Sequence, residues 1–334
     1  MTFQIRTIIC TVAALTILLA TSCADDDAPR ATVQMPVSLV LPAEAIETRA
    51  FPGDPGTWEK FNEPEYLYLF IVLQDEDNKV SLRSEQQRLT KEWEKIVQGT
   101  DSAYRYTGNI QVSFPHTGRK AGAVYATVSY TALTLDWTGW NDWTNYNNWN
   151  EAVEAIKSIT FTLNDDNNLQ DIYSSPYNLT ATIEEKNQYY GTIEEVNSAV
   201  PHVDNLMLFH VAAKVDLIWN VADNVQPDIR LTGITVNGLS RKGYLFCPNE
   251  NTTPDETDKY THPIPINIGN QWDGRAYFYA IPYSDGTNYP ITIDLKANGK
   301  TDKTGVALNI PYTTSTENPY THWMRGDIRI NSWN

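Results

Sequence analysis

Apolar and polar residues alternate along this chain in short runs, and the period of each run is informative. Val33, Met35, Val37, Leu39 and Leu41 alternate with Gln34, Pro36, Ser38 and Val40. A period of two places every second side chain on one face, so the spacing predicts a strand with one buried face. Pro36 lacks the N–H that a central strand donates, which favours an edge position. Residues 65–74, EYLYLFIVLQ, are apolar or aromatic almost throughout and predict a central strand covered on both faces. Residues 82–97 carry Leu89, Trp93 and Ile96 with Val97 at helical spacing and are expected to hold a short helix. One or two further helical turns are expected over 151–157.

Strand patterns recur at 104–114, 122–135, 159–163 and 180–184, then at 206–220, 229–237, 243–246, 274–282, 290–297, 305–311 and 323–333. Short strands at this spacing, with turn residues between them, predict an all-β chain. The expected architecture is two β-sandwich domains in tandem, of transthyretin-like or Greek-key type, with few short helices. The boundary is expected between Asn197 and Asn205, giving domains at 50–200 and 201–334.

Two interruptions differ in composition from the rest. Residues 47–56, ETRAFPGDPG, place two prolines and two glycines among polar residues and predict an exposed, protease-accessible loop. Residues 136–150, DWTGWNDWTNYNNWN, hold four of the ten tryptophans among Asn, Thr, Asp and Gly. Aromatic faces stack on sugar rings and amides bond hydroxyls, so Trp137, Trp140, Trp143 and Trp149 are candidate ligand contacts. The plainer reading is that two or three of them pin a long loop to its domain.

The amino terminus reads as an address. Arg6 is followed by an apolar run to Ala20, too short for a membrane span and ordered like a signal peptide over 1–22. Small residues and then Cys23 follow, which resembles a lipobox with Ala20 in place of the usual Leu. On that reading Cys23 is lipidated, and its acyl chains, palmitate among them, anchor the precursor; the other reading is an ordinary secretory signal. Asp25, Asp26 and Asp27 resemble the acidic export signal of Bacteroidetes surface lipoproteins, or form a solvated tether.

Of the three cysteines, Cys10 leaves with the signal and Cys23 with lipid, so Cys247 remains and no intrachain disulfide is expected. The net charge of −16 argues against a nucleic-acid partner. His116, His202, His210, His262 and His322 are scattered, and no phosphate loop, zinc motif or nucleophile elbow is present. Neither a metal nor a cofactor is expected, and the chain is read as non-enzymatic. Arg325, Gly326 and Asp327 spell an integrin-type tripeptide inside a strand pattern, where chance is the plainer source.

Several of these stretches together resemble the fimbrillins that build type V pili of Bacteroidales, the FimA and Mfa-type subunits. They are the lipobox at Cys23, residues 48–56, the strand at 66–70, and in the second half 211–217, 243–246 and 276–282. The resemblance implies a precursor held on the outer membrane by lipid, with residues 23–49 as a propeptide containing the first strand. It implies cleavage between Arg49 and Ala50 by an arginine-specific protease. Loss of the first strand then opens a groove that a strand from another subunit fills. The implied protein is a structural or tip subunit of a cell-surface fimbria, contributing to adhesion. Its partners are other fimbrial subunits and a host or bacterial surface glycan or protein. The alternative is a non-polymerising surface lipoprotein that binds glycans. Residues 323–333 are either a donor strand or the last strand of the second domain.

Overall fold

The computed structural model describes residues 31–42, 61–75, 77–98, 101–114, 119–165, 169–175, 191–194, 202–246, 258–281, 288–311 and 323–333. Cys23, Arg49 with Ala50, the run at 180–184 and Cys247 lie outside the described residues.

The first part of the chain forms one large, mostly antiparallel sheet. Its strands are β1 (Ala31–Pro42), β2 (Tyr66–Asp75), β3 (Val80–Arg88), β4 (Glu94–Gln98), β5 (Asp101–Phe114) and β6 (Arg119–Ser129). β8 (Trp143–Tyr146), β10 (Ile172–Ser174), β11 (Gly191–Glu194), β12 (His202–Met207) and β13 (Phe209–His210) complete it. The order is β4-β5-β1-β12-β11-β6-β2-β3-β8, with β10 on β6 and β13 on β10.

β2 is covered on both faces, as its unbroken apolar run predicts. Leu67, Leu69 and Ile71 enter one hydrophobic cluster, while Tyr68, Phe70 and Val72 enter another. The first cluster is the core that β1 completes. The second is roofed by α1 (Trp149–Lys157), the α-helix of the described residues, whose Ala152, Val153 and Ile156 are buried. Asn148 caps it by accepting from the Glu151 N–H at 3.0 Å.

The second part is a sandwich of two sheets. β14 (Ala213–Val221) lies between β18 (Asp273–Ala280) and β21 (Trp323–Ile330). Facing them are β17 (Lys259–Pro265), β15 (Leu231–Ser240), β19 (Asn288–Ala297) and β20 (Lys303–Pro311), in that order. Val215, Leu217 and Trp219 meet Ile234, Val236 and Ile293 in the core between them. The all-β sandwich class expected from the sequence is thus the class observed.

The two parts are joined by more than a linker. β16 (Lys242–Tyr244) pairs with β9 (Thr160–Thr162), which pairs with β7 (Thr134–Leu135). Phe246 stands edge-on to Phe70 at 5.5 Å and to Tyr125 at 5.9 Å, so the second cluster draws from both parts.

Four local expectations are corrected. Residues 82–97 form β3 and β4 rather than a helix: β3 is claimed by β2 along its whole length, and Leu89 and Trp93 pack into the core from the connection. The run 206–220 is not one strand but the end of β12, then β13, then β14. β12 and β13 pair inside the first sheet and β14 inside the second, so sheet membership changes after His210. Residues 259–265, left out of the strand patterns above, form β17. β1 is an interior strand of its sheet, although the half that contains Pro36 has a single pairing neighbour among the described residues.

Candidate functional site

The residues of β1 that the alternation marks as apolar do enter the core. Met35, Leu39 and Leu41 are 0% exposed and Val37 is 1% exposed. Leu67, Leu69, Trp93, Tyr106, Ile110 and Leu206 share their cluster and line the groove in which β1 lies. At roughly 1.5–3 kcal/mol for each fully buried side chain, these four stabilise the domain by roughly 6–12 kcal/mol. A whole domain is stable by about 5–15 kcal/mol, so the groove is not tenable empty.

The backbone of β1 is held unequally on its two sides. β5 runs antiparallel to it in unbroken register from Ala31↔Phe114 to Pro42↔Ala103. β12 runs parallel to it and pairs over Val37↔Val203, Leu39↔Leu206 and Val40↔Met207. That shorter ladder is itself interrupted, because Asn205 takes φ 48°, a conformation asparagine tolerates better than most residues. The irregularity falls opposite Ser38, whose hydroxyl donates to the Asn205 side-chain oxygen at 3.3 Å. The Leu208 N–H donates to the Val40 carbonyl at 2.8 Å and closes this flank.

A close approach shapes the wall beneath Val37. Its partner across the ladder is Gly108, and the Tyr106 ring lies over that glycine. A Cβ on Gly108 would stand 2.6 Å from the Tyr106 hydroxyl oxygen, so a larger residue there displaces the ring. Trp93 packs against Tyr106 with ring centroids 5.7 Å apart and donates its indole N–H to the Pro64 carbonyl. Neither Gly108 nor Tyr106 stood out in the sequence. A glycine on the buried parity of an alternating strand is the signal that would have found them.

The far edge of β5 is dressed by side chains rather than by a long strand. β4 covers Asp101 to Arg105. Beyond it, Lys91 donates to the Thr107 carbonyl at 3.2 Å and Gln87 to the Gln111 carbonyl at 3.3 Å. Gln87 lies next to the end of β3, so strands near the two ends of the sheet order approach each other around the core. On the same face of β3, Arg83 and Glu85 form a buried ion pair at 2.5 Å. Burial pushes the Glu85 carboxyl above its ordinary value, opposed by the hydrogen bond and charge of Arg83.

The chain after the predicted cleavage loop is tied to the same place as the end of β1. Phe61 stacks on Tyr104 with centroids 4.1 Å apart, and Tyr104 is the cross-strand partner of Leu41. Asn62 donates to both carboxylate oxygens of Asp171, at 3.2 and 3.1 Å, and the Trp93 N–H donates to Glu63. Leu41 and Phe61 are therefore both neighbours of Tyr104.

The four candidate tryptophans do not share one surface. Trp137 and Trp140 pack on Phe70 at 5.8 and 5.9 Å, and Trp137 donates to the Ser84 hydroxyl at 2.7 Å. Trp149 packs against the same cluster, whereas Trp143 packs against the core that holds β1, with Arg83 above it at 6.0 Å. Arg325, Gly326 and Asp327 lie within β21, opposite Asp216, Leu217 and Ile218. Gly326 sits under Leu308 and Leu217, an extended and paired setting rather than a loop. His210 packs between Tyr173 and Tyr279. Among the described residues, no group of three or more His, Cys, Asp or Glu is arranged to hold a metal ion.

No known protein family matches the chain, and no curated protein matches it in sequence. Solved structures do. The fimbrial anchor protein Mfa2 from Porphyromonas gingivalis is 11% identical, with 89% of this chain and 90% of that one covered, at a TM-score of 0.42. A candidate cell adhesion protein from Bacteroides eggerthii is 13% identical over 91% of this chain and 100% of that one, at 0.40. A candidate adhesin from Bacteroides ovatus is 11% identical over 86% and 78%, also at 0.40. Fimbrial and adhesion proteins are thus among the structures to which this chain is similar.

Proposed function

We propose that this protein is a subunit of a surface fimbria, exported as a lipoprotein through Cys23 and cut between Arg49 and Ala50. After cleavage, a strand from another subunit replaces β1. The protein is structural and adhesive, not catalytic. One observation carries the reading: the first strand among the described residues completes the first core, and a proline- and glycine-rich stretch with an arginine in it follows in the sequence. Removing β1 strips the β5 and β12 flanks of their backbone partners and empties the places of Met35, Val37, Leu39 and Leu41. A strand with the same alternation restores both the ladder and the packing, which is strand addition.

The anchoring of Phe61, Asn62 and Glu63 supports the same reading, because a cut in the preceding loop leaves the downstream chain held in place. β21 favours an accepting role at the fimbrial tip over a shaft role in which that strand is donated. It pairs with β14 from Lys214↔Trp323 to Val221↔Ile330, and its Ile328 and Ile330 are in the second core.

The test is amino-terminal sequencing of protein sheared from cells, beside the Arg49→Ala variant. A start at Ala50, and a variant that accumulates as unpolymerised precursor, are expected. Lipidated Cys23 in the sheared polymer, or normal polymer from Arg49→Ala, would overturn the proposal and favour a surface lipoprotein that keeps β1.

A further inference from the structure

We propose that the strand entering the groove from another subunit carries an aspartate or glutamate in the place of Val40, where its carboxylate pairs with Arg105. The proposal rests on strand replacement as stated above and adds the chemistry of the partner strand.

Arg105 is the cross-strand neighbour of Val40, within the unbroken ladder between β1 and β5. The parity of β5 fixes how the two face each other. The Thr107 and Gln111 carbonyls accept side-chain donors on the flank of β5 away from β1, so the odd-numbered residues turn their backbone groups that way. Arg105 shares this parity, and its backbone partner on that flank is Glu94 of β4. The Val40 carbonyl likewise serves the far side of its own strand, where it accepts from the Leu208 N–H. Val40 and Arg105 are therefore a non-hydrogen-bonded pair, the kind whose side chains stand closest, with Cα atoms about 4.5 Å apart.

The resident strand answers Arg105 poorly. Val40 has the outward parity of β1, on which Gln34 and Pro36 are exposed and Ser38 is half-buried, yet it is itself 4% exposed. Arg105 is half-buried beside it, and its Nε is buried with no hydrogen-bond partner among the described residues. A guanidinium N–H shut away from water is costly without an acceptor, and an isopropyl group supplies none. Glu94 is exposed and belongs to the wider, hydrogen-bonded pair on the other flank. A carboxylate in the place of Val40 brings the missing acceptor and the opposite charge together.

The neighbouring places set the register. Leu39 and Leu41 are 0% exposed, so a strand that fills both with apolar side chains puts the residue between them against Arg105. The groove thus reads three successive places, two by burial and one by charge, and selects among strands that fill the core alike. β21 of this chain meets that reading badly. With Ile328 and Ile330 in the places of Leu39 and Leu41, Arg329 faces Arg105, and like charges directly opposite repel.

The probe is a set of fluorescent synthetic peptides of residues 31–42: the unsubstituted one and Val40→Glu, Val40→Gln and Val40→Lys. Each is added to the full chain after cutting with an arginine-specific protease, and its uptake is followed by anisotropy. The Val40→Glu peptide is expected to be held about threefold or more tighter than Val40→Gln, and about tenfold or more tighter than Val40→Lys. This comparison uses the unsubstituted chain and needs no variant to fold. In the Arg105→Met chain, which keeps the apolar stem, the preference for Val40→Glu is expected to vanish. Equal uptake of the three substituted peptides by the unsubstituted chain, or a preference that Arg105→Met leaves unchanged, overturns the pairing while strand replacement stands. Absence of uptake of every peptide, the unsubstituted one included, with folded cores, overturns strand replacement and the partner's chemistry with it.

Discussion

Tyr125 lies where the two parts of the molecule meet, and its phenol records how dry that place is. Burial pushes it from 10.0 up to about 12. A group whose value is raised on folding favours the fold fully below its unfolded value, and that contribution disappears as the pH rises through the folded one. The window here runs from 10.0 to about 12, and the rise corresponds to roughly 3 kcal/mol. Tyr125→Phe is therefore expected to match the parent protein near neutral pH and to exceed it in strongly alkaline solution. Denaturant midpoints at a series of pH values measure this. Little of it was legible beforehand, because tyrosines in alternating strands look alike until their neighbours are known. The tryptophans make the same point. The sequence marked Trp137, Trp140, Trp143 and Trp149 as a group, but which core each one meets depends on how the strands pair around the loop.

Among the elements, β1 and β2 were readable because their burial is periodic: one face in two for β1, both faces for β2. β3 was not, because it buries charge. Arg83, Ser84 and Glu85 are all nearly inaccessible, so no apolar alternation marks that stretch, and the spacing of Leu89 and Trp93 imitated a helix. The Arg83–Glu85 pair yields a prediction for this strand. Arg83→Ala leaves a buried carboxylate without its partner and is expected to cost about 3–5 kcal/mol. Replacing both residues by leucine is expected to restore much of that loss. Urea unfolding of the single and double variants decides between an ion pair that stabilises the strand and one that merely satisfies it. Strand β17 was missed for a related reason: its His262, Pro263 and Pro265 break the apolar count that the eye follows.

On the scale of the whole molecule, the all-β class was legible but the junction between the two parts was not. The run at 206–220 reads as one strand because periodicity reports burial and not sheet membership; in space it serves first one sheet and then the other. Phe246 closes the junction against Phe70 and Tyr125. Phe246→Ala is expected to cost about 3–5 kcal/mol and to divide a single unfolding transition into two, as seen by calorimetry. The short path from β12 through β13 to β14 has a mechanical meaning as well. A pull applied along β12 from its Met207 end acts beside β1, its parallel neighbour. The bonds between them are then loaded in shear, sharing the tension rather than unzipping one after another.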